Sequence, residues 1–422
     1  WIGALLIRLF GGIFSDIVAA RLVTVLWFFI ATISLWYATY RLARRPEAQP
    51  VAFAFGGEAN PRDYGRTLAD IAVLLMLATI GIVLRMHETI AETALFAFVA
   101  MLLLALAVSL EDPWKGTVGA AVALAAIALT RGLLPAAALM IASLIFVLSF
   151  GRHRVSRAIV FVAIAAGLFA SWPLAAHRAT PQAVLYFDAW WAWNARELHG
   201  PSISNFLWFV RNVGWYTWPL WPFALWTLYS WRSFWRRPHV LLPLLIAIAA
   251  IAALLIVADP SDRELIAVVP ALVVLGAFSV STLRRAADNA IDWFSLALFT
   301  LALLAIWVYF GAWNAGVPPK MAASVARLVP GLDASAPIVA TTIAIIATAG
   351  WIVLALWRVR RRPKTLWRGP FFAAGGLAVV WVVVVSIYGA PIDYSRSYAS
   401  TATVLAAQVR RVGSDTCVQG HH

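Results

Sequence analysis

Twelve apolar runs separated by short polar connectors follow one another along the chain, at 17–41, 68–84, 90–110, 116–130, 133–150, 157–175, 215–231, 240–257, 264–281, 293–311, 337–357 and 370–389. Most approach the roughly 20 residues that an α-helix needs to cross hydrocarbon. The runs are continuously apolar, without the residue-by-residue alternation of a membrane β-barrel strand. In lipid each backbone N–H and C=O must be satisfied within the segment, which leaves the helix as the conformation for such runs. The pattern therefore predicts an all-α, polytopic helical bundle of about twelve spans. The shortest break is the turn at Arg131 and Gly132, between the fourth and fifth runs.

Two segments depart from the spanning pattern. Trp1–Phe10 reads as the end of an interfacial or buried helix. Between 183 and 215, Ile203, Phe206, Leu207, Val210 and Val213 keep helical spacing behind Ser202, a good N-cap, with Trp190, Trp191, Trp193, Trp208, Trp215, Trp218 and Trp221 around them. This stretch fits an interfacial helix anchored by Trp, or a platform for sugar rings or a lipid chain. The expected organisation is a transmembrane region over 1–390, with an amphipathic loop at 176–214, and the start of a further domain at 391–422. In that last segment Tyr398, Thr401, Leu405 and Val409 trace one helical stripe. The chain opens on Trp1 in mid-pattern and closes on Cys417, His421 and His422, as a piece of a longer protein would.

Composition sharpens the assignment. The chain is 63% hydrophobic and only 12% charged, which makes lipid its main solvent. Its charge gives direction. Alternate connectors hold 20 of the 33 basic residues, among them Arg41, Arg44, Arg45, Arg62, Arg66, Lys115, Arg152, Arg154, Arg157 and the Arg358–Arg368 stretch. By the positive-inside rule this set faces the cytosol, and the other connectors face the periplasm of a bacterial inner membrane. Anionic lipid headgroups then account for the net charge of +14, and no nucleic-acid-reading motif accompanies it. The single cysteine forms no internal disulfide, and there is no Ser-centred elbow, phosphate loop or dinucleotide fingerprint. Nucleotide chemistry in the cytosol has no support.

On the periplasmic side the polar residues gather. Arg85, His87 and Glu88 end the second run, and Glu92, one helical turn past Glu88, opens the third. A carboxylate at the head of an apolar run must face a cavity or pair with a cation, which marks it for function, and burial would suit it to proton transfer. The plain alternative is an Arg85–Glu88 structural pair at headgroup level. Arg131, Arg178 and Arg263 each sit at the outer end of a run, where a lone arginine can snorkel. Together they would suit a phosphate or pyrophosphate ester, because the guanidinium is a forked, permanently charged donor. No His/Cys ligand spacing occurs, so no metal ligand is assigned, and a divalent metal stays open as a cofactor.

The residues that follow resemble a family. Trp1-Ile2-Gly3-Ala4-Leu5, Leu9-Phe10-Gly11 and Ala20-Arg21-Leu22 are similar to the segment after the first periplasmic loop in aminoarabinose (lipid A) transferases and protein O-mannosyltransferases, membrane glycosyltransferases of the C-fold. Arg85-Met86-His87-Glu88 with Glu92, Thr130-Arg131-Gly132, Asp262-Arg263-Glu264 with Pro270, and Ile392-Asp393-Tyr394-Ser395-Arg396-Ser397-Tyr398 resemble later stretches, in the same order. All fall on the periplasmic side of the map drawn from charge. Glu92 stands where an Asp is common. The resemblance implies transfer of a sugar from a polyprenyl-phosphate donor to a periplasmic acceptor such as lipid A. Arg85, Arg131 and Arg263 would bind the phosphate, and Arg178, Asp262 and Tyr394 would join the substrate-binding set. Glu88 and Glu92 would orient the acceptor or balance charge, with His87 as a proton carrier. The family's catalytic acid lies in a first periplasmic loop that would precede Trp1, so the chain as given is expected to be inactive alone. A secondary transporter or flippase of lipid-linked or small anionic substrates is the competing reading, followed by a non-enzymatic component of assembly or polymer export.

Overall fold

The computed structural model describes residues 2–50, 60–179, 183–328, 337–361, 367–396 and 398–412. The Gly56–Gly57 loop, Arg362, Lys364, Ser397, Cys417, His421 and His422 lie outside the described residues. The described chain is helical: α1 (Ile2–Phe10), α2 (Asp16–Ala43), α3 (Pro61–Leu77), α4 (Ile80–Arg85), α5 (Ala91–Val108) and α6 (Pro113–Arg131). Then come α7 (Leu133–Ser149), α8 (Arg154–Ala179), α9 (Ala183–Glu197), α10 (Ile203–Tyr216), α11 (Leu220–Ser230) and α12 (Pro238–Ile256). The last are α13 (Val269–Val280), α14 (Arg285–Ala315), α15 (Pro319–Leu328), α16 (Ile338–Arg360), α17 (Arg368–Arg396) and α18 (Ala399–Val412).

Among the described residues eight helices are long and apolar enough to cross a membrane, and α7 and α13 are shorter apolar helices. The protein is a multi-pass membrane helical bundle, as the apolar runs predict. Its helix starts are written locally. Asn60 and Asp112 cap α3 and α6 ahead of a proline in the first turn, and Ser202 caps α10 through Asn205 N–H.

The chain forms two compact units. The first comprises Trp1–Ser295 and Pro363–Leu377, and its core runs through α2, α3, α5, α6 and α13. Every residue of α13 is buried, so this helix is its centre. On the basic face of this unit, Arg368 reaches Asp288 at 3.1 Å and Asp292 at 2.9 Å. The second unit comprises Leu296–Arg362 and Ala378–His422. Inside it, Trp307 Nε1 donates to Thr348 Oγ1 and Trp351 Nε1 to Thr300 Oγ1, each at 3.0 Å, while Tyr388 Oη donates to the Ile306 carbonyl. Such bonds hold helices together where the hydrophobic effect cannot.

Two expected spans are interrupted. The run 68–84 breaks at Ala78–Thr79, and the run 215–231 breaks at Thr217–Pro219, leaving α4 and α11 short. The two breaks serve each other. Ile80 N–H, freed at the first, donates to the Trp218 carbonyl, freed at the second, at 3.0 Å. Gly81 completes the junction: a β-carbon there would run into the ring of the fully buried Tyr216. Gly81→Ala is therefore expected to destabilise the protein by about 2 kcal/mol, read by thermal unfolding in detergent. An unchanged transition would show that the ring has room to move.

Candidate active site

α4 begins just after the interruption at Thr79 and stops at Arg85, and a tight turn with Glu88 N–H donating to the Arg85 carbonyl leads to α5. Arg85 Nη1 lies 2.7 Å from Glu88 Oε1, and its other terminal nitrogen pairs with Asp262. Burial works against the Arg85 charge, but Asp262 and Glu88 outweigh it and hold the guanidinium pKa above its ordinary value.

A second cluster stands beside the first. Glu92, only 7% exposed, occupies the first turn of α5, where the helix dipole favours a carboxylate. Arg131 closes α6 and places Nη1 at 3.5 Å from Glu92 Oε1 while pairing with Glu264 through Nη2. One 3₁₀ turn, Asp262–Ala267, supplies both Asp262 and Glu264 and so joins the clusters. That turn is held by what precedes it. Ala258 N–H donates to the Glu197 carbonyl at 2.8 Å, and Asn205 Nδ2 donates to the Val257 carbonyl at 2.7 Å.

Gly132 makes the turn after Arg131 with φ +83°, a conformation that favours glycine. A β-carbon there would also meet Asn194 Oδ1 and the Trp193 ring. Asn194 Oδ1 instead accepts Leu133 N–H at 2.7 Å and docks α9 over the α6–α7 turn. Behind the turn a small cavity is lined by Arg131, Glu197, Glu264, Trp193 and Asn194 over an apolar floor. It adjoins an apolar groove of about 590 Å³ between α7, α9 and α12, with which it shares Leu134, Asn194 and Ala253.

The electrostatics favour proton exchange. Glu88, Glu92, Asp262 and Glu264 outnumber Arg85 and Arg131, so the site carries excess negative charge when fully ionised. Burial pushes the Glu264 pKa up to about 7, against the pull of Arg131, and the neighbouring Glu197 and Glu92 charges push the same way. Two carboxylates facing one guanidinium hold a proton more readily than one would. Among the described residues no group of three His, Cys, Asp or Glu is placed to hold a metal ion.

The structure brings together Arg85, Glu88, Glu92, Arg131 and Asp262 from three sequence motifs. Arg263 sits on the same 3₁₀ turn but is exposed, and among the described residues no ion pair engages it. His87 is exposed, with Nδ1 3.2 Å from the Val83 carbonyl. Arg178 is exposed near the end of α8, and Tyr394 is 54% exposed on α17 in the second unit. Neither is placed in the two clusters by any contact within the first unit. Glu197 and Asn194 were not singled out from sequence, Trp193 entered only as part of the aromatic stretch, and Glu264 only as part of a motif without a role of its own. For Glu264 a signal existed: it lies two residues after Asp262, immediately ahead of a fully apolar run.

No protein-family model matches the chain, and no curated protein matches its sequence. Solved structures do. ArnT from Cupriavidus metallidurans in the apo state superposes with a TM-score of 0.64 at 18% identity, over 97% of this chain and 68% of that one. The same protein bound to undecaprenyl phosphate gives 0.61 at 17% identity, over 97% and 69%. Two charged clusters joined by one turn, beside an apolar groove, thus sit in a multi-pass helical fold that this chain shares with ArnT.

Proposed function

We propose that the protein belongs to a glycosyltransferase system that takes a sugar from polyprenyl phosphate and passes it to an acceptor at the outer leaflet, lipid A being one such acceptor. The observation that carries this reading is the junction of the charged site and the apolar groove. An amphiphile can lie with its chain between α7, α9 and α12 and its polar end at Arg131 and Glu264. The fold shared with a protein that binds undecaprenyl phosphate supports the same assignment.

In this reading the acceptor oxygen attacks the anomeric carbon, and the bond from that carbon to the polyprenyl phosphate oxygen breaks. The acceptor proton needs a base, and Glu264, with its pKa near neutrality, is suited to take it. Arg131, itself paired with Glu92, holds that carboxylate in place. Arg85, already neutralised by Asp262 and Glu88, positions the 3₁₀ turn rather than offering free charge. Arg263 is the guanidinium left for the departing phosphate. Glu88 and His87, at the rim, would orient the acceptor, and Arg178 would widen the substrate surface.

The test is the full-length protein in detergent with polyprenyl-phosphate sugar and acceptor, following release of free polyprenyl phosphate. Arg263→Ala is expected to lower release about tenfold or more, because one charge-assisted contact to the phosphate is lost. Release equal to that of the parent protein would remove Arg263 from the site. Movement of intact donor across vesicles, with no bond broken, would favour a flippase instead.

A further inference from the structure

The other end of the first unit holds a cation that the transferase reading does not use. Arg157, in the first turns of α8, is 1% exposed. Its Nε donates to Thr117 Oγ1 of α6 at 3.0 Å, and its Nη1 donates to the Phe150 carbonyl at 3.2 Å. No carboxylate reaches it among the described residues. The nearest acid by sequence on the packed helix, Asp112, is held by Lys115 at 2.9 Å and caps α6. A guanidinium out of water without a counter-ion is costly unless an anion comes from elsewhere.

The turn before α8 wraps this group. Gly151 has φ +87° and His153 φ +55°, and a β-carbon at Gly151 would lie 2.6 Å from Arg157 Nη1. Arg154 folds back to donate through Nε to the Gly151 carbonyl at 3.1 Å. Arg152, His153 and Arg154 are all exposed, and among the described residues none of them has an acidic partner. The start of α8 adds its unpaired backbone N–H groups and the positive end of the helix dipole. Immediately beyond, Val155 is 67% exposed and Ile159 64%, one helical turn apart along the same face of α8.

We propose that Arg152, Arg154 and the start of α8, above the buried charge of Arg157, bind the phosphodiester headgroup of an anionic phospholipid, whose acyl chains run down the Val155–Ile159 face. The buried guanidinium supplies the fixed charge, and the two exposed arginines close over the headgroup. Apolar side chains that directly adjoin the cationic turn distinguish this from a site for a soluble anion. The same turn lies at the end that the charge pattern assigns to the cytosol, where anionic lipids attract basic segments. The site is separate from the carboxylate clusters and stands whether or not the transferase assignment does.

Binding is measured on the purified full chain in a neutral detergent, by native mass spectrometry and thermal unfolding. Palmitoyl-oleoyl phosphatidylglycerol, the matching phosphatidylcholine and inorganic phosphate are added in parallel. The expected result is retention of phosphatidylglycerol with a raised unfolding temperature, and neither effect from the other two. Arg152→Gln with Arg154→Gln changes exposed residues only, and should weaken phosphatidylglycerol about fivefold for each arginine removed. Arg62→Gln with Arg66→Gln removes the same charge from another basic connector and should leave the affinity unchanged. Arg157→Met should abolish retention; should it fail to fold, the Arg152 and Arg154 pair decides. Equal effects of phosphatidylcholine or of inorganic phosphate, or equal losses in the control pair, would overturn the proposal.

Discussion

Glu264→Gln is expected to reduce sugar transfer by about 100-fold, through turnover rather than substrate affinity. Gln keeps the shape of the side chain and a contact to Arg131 but takes no proton. The pH profile carries the more specific signature. A base with its pKa near 7 is half ionised at neutrality, so the rate of the parent protein should climb as pH rises through about 7. In the variant that limb should vanish.

Stability should move in the opposite sense. The folded-state pKa of Glu264 is raised above its unfolded value, so its contribution is fully present below the unfolded pKa and lost as pH rises through the folded one. Between about pH 4.5 and about 7 the parent protein should lose on the order of 3 kcal/mol that the Gln variant keeps. Thermal unfolding across that window checks it. Parallel curves for the two proteins would mean that Glu264 titrates as an ordinary carboxylate and is not the base.

Arg131→Met should be the most damaging single change to folding, at about 3 kcal/mol or more. Met matches the apolar stem of arginine but leaves Glu92 and Glu264 facing each other without a cation. The loss should deepen with pH, because Glu264 then ionises beside Glu92 in a site that can no longer balance its charge. Adding Glu264→Gln to Arg131→Met should recover a large part of the lost stability. If the double variant is no better than Arg131→Met alone, the cluster is not the source of the damage.

The architecture is legible from hydropathy because lipid imposes a simple rule, and α2, α5, α6, α8 and α12 fall where the apolar runs place them. The interruptions at Thr79 and Trp218 are not legible. Apolar residues continue through both, and the hydrogen bond that stabilises each break comes from the other, 138 positions away. The site shows the same division. Glu92 declares itself, because a carboxylate at the head of an apolar run demands explanation. Glu264 does not, since its importance depends on Arg131, 133 positions earlier, and on the burial that raises its pKa. Pairing also changes what the arginines mean. Sequence suggests three free guanidinium groups for phosphate, whereas Arg85 and Arg131 are matched to acids and only Arg263 is left open.

The long separation between partners bears on how the protein is made. Arg85 leaves the ribosome 177 residues before Asp262, and Arg131 leaves 133 residues before Glu264. During synthesis the early helices therefore enter the bilayer with their charges only partly matched, Arg85 by Glu88 and Arg131 by Glu92, before the second counter-ion of each exists. Such a nascent bundle is expected to stay near the insertion machinery, or to lean on interim shielding by water and lipid, until the 3₁₀ turn arrives. Truncated chains that stop before Asp262 should consequently be degraded far faster than chains that extend just past Glu264.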